Sequence, residues 1–183
     1  AQNVDSTDIP MEENPSITAT LVAHHGPVYF GDGLGLGRVH YTVSIDGDEL
    51  REYVQWDGQQ PIYRNEGVVG LFGGLSYADV IPALSATAEE EGFTLLFSGY
   101  AGEAEPDGDK TLYTSSGESL SISADEFSLE MKNLSMDMSY DGDMVAAFKG
   151  DLFESTGKAR IESIEISNIE PGATVKIENL AFA

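Results

Sequence analysis

Three histidines, His24, His25 and His40, are the side chains of this chain best suited to metal or acid–base chemistry, and all lie before residue 41. Neighbours on a strand point to opposite faces, so His24 and His25 cannot both grip one ion. One of them together with His40, and with Asp32 from the intervening segment, would make a zinc or nickel set: His25, His40 and Asp32. Such a centre would give a metal-dependent hydrolase built on His24 or His25 and His40. The competing reading is a turn in which the His25 ring caps backbone groups beside Pro27.

The other chemistry-bearing patterns are less selective. Asp-Gly-Asp occurs at residues 46–48, 107–109 and 141–143, and clustered carboxylates suit calcium. None of the three continues into the order of a calcium loop, and turn chemistry accounts for them, because glycine accepts the positive φ of a tight hairpin. The run GDGLGLG (31–37) lacks the glycine spacing, the lysine and the following helix of a phosphate-binding loop. Ser76 has no nucleophile-elbow context and no histidine downstream of it. Many acids are present, yet nothing singles out a catalytic pair. No catalytic residue and no cofactor are expected.

The elements that would hold such residues are written in the period of the apolar positions. From Ser119 to Tyr140 apolar and polar residues alternate, the mark of a strand with one wet and one dry face. Leu120 and Ile122, then Phe127, Leu129 and Met131, then Leu134, Met136 and Met138 carry the dry side. As one straight strand these 22 residues would extend roughly 70 Å, against a radius of gyration of roughly 16 Å for a compact domain of this length. The chain must bend or reverse. The apolar spacing lengthens to three across Asp125-Glu126 and again across Lys132-Asn133, so each pair is a two-residue turn or a bulge. Neither contains glycine, which favours bulges that keep both apolar sets on one face. Similar steps occur from Ile161 to Ile164 and from Ile177 to Leu180.

The rest of the chain follows the same logic. Residues 1–15 are polar and acidic with Pro10 and Pro15, a flexible lead-in to a single β-rich domain over 16–183. A first strand from Ile17 is expected to end at Pro27, residues 31–37 to form a loop, and strands to cover 38–45 and 50–56. Tyr77 to Glu91 is the helix candidate, with Ser76 and Asp79 in capping-box spacing and Val80, Ile81, Leu84 and Ala88 along one side. Phe93 to Tyr100 reads as strand. The predicted fold is therefore mostly β: an elongated, curved antiparallel sheet of meandering, bulged strands with at most one or two short helices.

Composition limits the partners. The 183 residues hold 32 Asp and Glu against 9 Lys and Arg, a formal charge of -23, with no cysteine. That field repels nucleic acid and anionic headgroups. It fits a surface adapted to high salt, or an acidic face made for a cationic partner. Disulfides and cysteine metal sites are excluded, and no run approaches a membrane helix. The dry face formed by Phe127, Leu129, Met131, Leu134, Met136 and Met138 is either core or an open trough for an acyl chain or a partner strand, since methionine adapts to varied apolar surfaces.

His25-Gly26-Pro27 after a strand, FTLLFSGYAGE (93–103), and the alternating strands at 119–140 and 158–169 together resemble the YdgA-like family of bacterial envelope proteins, a domain of unknown function (DUF 945). The resemblance spans most of residues 17–183 and would cover the first part of a typical member. It implies a periplasmic domain of the cell envelope, in a salt-tolerant bacterium given the acidity, anchored to the membrane by a segment absent here. It implies no known enzymatic activity and supplies no catalytic residues. The expected role is binding or scaffolding, through a sheet edge or an apolar concave face, toward an unknown protein or a lipid; sheet edges also allow a homo-oligomer.

Overall fold

The computed structural model describes residues 16–30, 33–46, 54–71, 74–89, 92–125, 127–141, 154–168 and 172–182. Within them the chain forms twelve strands and no helix. They are β1 (Ser16–Phe30), β2 (Gly33–Asp46), β3 (Gln55–Gly58), β4 (Tyr63–Gly70), β5 (Leu75–Ile81), β6 (Leu84–Ala88), β7 (Phe93–Phe97), β8 (Tyr100–Asp107), β9 (Lys110–Ala124), β10 (Phe127–Asp141), β11 (Glu154–Ser167) and β12 (Thr174–Phe182). All twelve join one open antiparallel sheet that begins at β1 and ends at β12.

The register shows that several of these strands are halves of longer ribbons. Leu84 pairs with Phe97 and Ile81 with Tyr100, one unbroken register on either side of Pro82-Ala83 and Ser98-Gly99. On β9, Leu120 takes Phe97 and Gly117 takes Tyr100, again without a shift. Thus β5 with β6, and β7 with β8, are single ribbons briefly interrupted, and both halves of β9 are used by one neighbour. β3 and β4 form another such ribbon, paired through Gly58↔Leu84 and Arg64↔Val80, with four residues, Gln59 to Ile62, between the end of β3 and the start of β4. The Gln60 side chain fills that gap by acting as a strand would: its amide accepts from Ile45 N at 3.3 Å and donates to Ile45 O at 3.0 Å. Ribbons follow one another in chain order, a meander.

The interruptions line up into a transverse seam, running from Gln59–Ile62 through Pro82-Ala83, Ser98-Gly99 and Glu118 to Asn133, Glu162 and Asn179. Asn133 and Asn179 are left-handed, at φ 50° and 55°, and Gly99 lies at φ 105°. Asparagine tolerates this region because its short polar chain bonds locally, and here the Asn133 amide donates to the Glu162 carboxylate. Ser98 stitches the middle: its N–H donates to Ser119 O at 3.0 Å and its hydroxyl accepts from Ser119 N at 2.7 Å.

Several expectations are corrected. The helix over 77–91 does not form; Leu75–Ile81 and Leu84–Ala88 are strands, and Gly92 at φ 60° turns the chain into β7. The apolar residues Leu75, Tyr77 and Ile81, then Leu84, Ala86 and Ala88, alternate on either side of a three-residue step across Pro82-Ala83, the same signature that marks the other ribbons. Asp125-Glu126 is not a bulge: Ala124 pairs with Phe127, so the chain reverses there. Asp125 occupies space that a side chain at Gly92 would fill. Lys132-Asn133 inserts no extra residue either, because Lys132↔Ser119 and Leu134↔Gly117 keep one register; the left-handed Asn133 changes the parity instead.

Residues 33–37 are strand rather than loop. A Cβ at Gly35 would stand 2.7 Å from Val68 Cγ1 and 2.8 Å from Val69 O, so this glycine serves close approach and not mobility. Pro27 does not end β1; it sits with Gly26 (φ 117°) in a bulge between His25 and Val28. Asp107-Gly108-Asp109 is the expected tight hairpin, closed by Asp107↔Lys110. The triplets at 46–48 and 141–143 fall largely outside the described residues, as do most of the expected strand at 50–56 and all of 1–15.

Among the described residues no second layer covers the sheet, which leaves its faces open. The accessible surface is 12960 Å², where a compact monomer of this mass would show roughly 8,600 Å². Among the described residues the buried apolar side chains are Val68, Ala86, Ala88, Ala104 and Tyr113.

Candidate functional site

Cross-strand rows place the apolar residues on one face of each half of the sheet. Beyond the seam runs the row Leu84, Phe97, Leu120, Met131, Ile164, Ile177, from β6 to β12. Beside it runs Trp56, Ala86, Leu95, Ile122, Leu129, Ile166, Val175. On the near side Ile81, Tyr100, Gly117, Leu134, Ile161 and Leu180 form the row next to the seam. In an uninterrupted strand Met131 and Leu134 would face opposite sides. Here both line one cavity of about 260 Å³ with Ile81, Phe97, Tyr100 and Leu120. The seam therefore turns the ribbons it crosses over by one residue, and the dry face continues across it.

Of the expected partner-face residues, Leu129, Met131 and Leu134 stand in these rows. Leu129, Met131, Leu134, Met136 and Met138 are half-buried on the dry face, and Phe127, at the hairpin with Ala124, is 37% exposed. Met138 packs on Gly157, which has no side chain to hold it off, and its sulfur accepts from Tyr140 OH at 3.3 Å.

A polar cluster, not anticipated from sequence, sits on the same face nearer the free ends of the ribbons. Tyr77, Ala104 and Tyr113 form one row, and the Tyr77 and Tyr113 rings stack above the small Ala104 with centroids 5.8 Å apart. In the next row Gly102 separates Asp79 from Ser115. Because Gly102 has no Cβ, the Tyr113 hydroxyl can cross it to donate to Asp79 Oδ1 at 3.2 Å, and Tyr100 OH bonds Tyr113 OH. Asp79 is 7% exposed, and burial raises its pKa, opposed by the bond from Tyr113. Burial also pushes Tyr77 up to about 12, with Tyr140 and Asp79 adding to it, and raises Tyr113, Tyr63 and Tyr140. These phenols stay protonated at neutral pH, so the cluster can donate hydrogen bonds around one desolvated carboxylate. The alternation Tyr77, Asp79, Ile81 places only the β5 members on one face, and the helical reading of that segment hid even this.

The three histidines do not share one face. β1 pairs with β2, but His25 opposes Gly37 while His40 opposes Val22. By strand alternation His25 and His40 project from opposite faces, which separates two of the three members of the expected metal set. His24, opposite Arg38, shares the face of His40. Asp32 lies outside the described residues. Among the described residues no group of three or more His, Cys, Asp or Glu could hold a metal ion. Ser76 is a strand residue opposite Val68. No described helix is long and apolar enough to cross a membrane, a statement that does not bear on strands.

Comparison with known proteins gives one result. Neither a curated protein nor a solved structure matches the chain. The profile of a family described as "Bacterial protein of unknown function (DUF945)" matches residues 6–183, nearly the whole chain. The open meander, the His-Gly-Pro bulge and the serial alternating strands are thus those of a member, and the chain belongs to the DUF945 family of bacterial proteins of unknown function.

Proposed function

We propose that this chain is a non-enzymatic binding domain of the bacterial envelope, and that its dry face takes the acyl chain of a lipid with an uncharged or zwitterionic head. The observation that carries this reading is the apolar cavity at the seam, about 260 Å³, walled by Ile81, Phe97, Leu120, Met131 and Leu134. It opens onto apolar rows that cross six strands, roughly 24 Å at the spacing of paired strands. One lipid chain reaches about half of the roughly 30 Å hydrocarbon core of a bilayer, so it fits along such a row. The charge of -23 sets the head group, since anionic lipids are repelled. The family resemblance supports an envelope location, and the acidity suits a salty medium in which self-repulsion is screened.

The probe is monododecanoylglycerol, a neutral single-chain lipid, with the complex followed by native mass spectrometry. A one-to-one complex is expected. Met131→Phe and Leu134→Phe, each enlarging a side chain that lines the cavity, should abolish it while the β circular-dichroism spectrum persists. No complex with the unaltered chain, or a complex indifferent to both substitutions, would refute the proposal.

A further inference from the structure

The two edges of the sheet are treated differently by the sequence. β12 carries Lys176 and Glu178, paired at 2.6 Å, and the left-handed Asn179. Charges and a kink of this kind discourage another strand from adding to an edge. β1 carries none of these over Ile17–His25. That stretch, ITATLVAHH, has no Asp, Glu, Lys, Arg, Gly or Pro. Its register with β2 is regular from Ile17↔Ile45 to His25↔Gly37. Only at Gly26-Pro27, beyond it, does a bulge interrupt the edge.

Among the described residues β1 has β2 as its only partner, so the opposite side of its backbone presents a row of N–H and C=O groups. Its side chains are accessible too: Ile17 is 70% exposed and Leu21 66%. Ile17, Ala19, Leu21 and Ala23 continue the dry face of Ile45, Val43, Tyr41 and Val39. Thr18, Thr20, Val22 and His24 stand on the other face beside Ser44, Thr42, His40 and Arg38. The edge is thus a nine-residue neutral window in a chain of charge -23.

We infer that the outer edge of Ile17–His25 is a site for strand addition by an extended segment of another protein, one that alternates apolar with neutral or basic residues. Main-chain bonds supply the attachment, and the alternating apolar residues extend the dry face by one strand. Charge decides the occupant. A second copy brings another -23 to the same edge, whereas a basic segment is drawn toward it. This edge lies apart from the seam cavity, so the inference does not depend on lipid binding.

The test uses a fluorescent synthetic peptide of alternating valine and lysine, long enough to span Ile17 to His25, and a block isomer of the same composition. Anisotropy should show the alternating peptide bound more tightly than the isomer, with affinity falling as salt rises. Along a strand, successive N–H groups point to opposite sides, so of Thr20→Pro and Leu21→Pro one removes an outward donor. That variant should lose about tenfold in affinity while keeping its β circular-dichroism spectrum; Val175→Pro on β12 should change nothing. Equal binding of the two isomers, or indifference to both β1 prolines, would overturn the inference. So would light scattering that shows a dimer broken by the same proline, since the edge would then belong to a second copy.

Discussion

Asp79 is the residue whose environment differs most from what its type prefers. A carboxylate that is 7% exposed has lost most of its water, and the Tyr113 phenol with a backbone donor does not fully replace it. The fold therefore holds the proton more tightly than the unfolded chain does, with the pKa above the ordinary 3.8. Ionisation on raising the pH then favours unfolding, so the destabilisation is complete above the folded pKa and vanishes below the ordinary value. Asp79→Asn keeps an oxygen to accept from Tyr113 and removes the charge. It is expected to melt above the wild type at neutral pH, with the gap closing as pH falls through the window just above 3.8. Subtracting one melting curve from the other cancels the titration of the remaining acids. A gap that does not vary across this window would mean that Asp79 is solvated in the fold.

At the scale of the element, the seam depends on backbone conformations that few residues accept. Asn133, at φ 50°, is the hinge of β10. Left-handed backbone costs an ordinary residue about 1–2 kcal/mol, so Asn133→Val is expected to lower stability in urea by about that amount. Asn133→Gly, free of the penalty, should stay within about 0.5 kcal/mol despite losing the bond to Glu162. Equal losses would assign the role to the side-chain bond and not to the backbone. The three-residue steps from Met131 to Leu134 and from Ile161 to Ile164 were visible in the sequence, and so was their consequence, a dry face kept on one side. Their mechanism was not legible. An extra residue and a left-handed residue both shift the alternation, and only the pairing Lys132↔Ser119 with Leu134↔Gly117 tells them apart. The segment around Pro82 misled for a related reason: Val80, Ile81, Leu84 and Ala88 satisfy a helical period, and only pairing with β8 and β7 decides for strand.

For the whole molecule, the meander and the exclusion of helix at 119–140 could be read from alternation, because each ribbon carries its own pattern. The tyrosine and Asp79 cluster could not, since its members come from separate ribbons and meet only once the register is set. Register, not residue type, likewise puts His25 and His40 of the expected metal set on opposite faces and leaves His24 on the face of His40. The central claim is that the seam turns over each ribbon it crosses, so that apolar residues of opposite parity share a face. The chain has no cysteine, which makes paired spin labels direct. Labels at Leu120→Cys with Leu134→Cys, and at Leu120→Cys with Ser135→Cys, differ by one position on β10. In a uniformly alternating sheet Ser135 would share the face of Leu120 and Leu134 would not. The account predicts the shorter distance for 120 with 134; a shorter distance for 120 with 135 would contradict it.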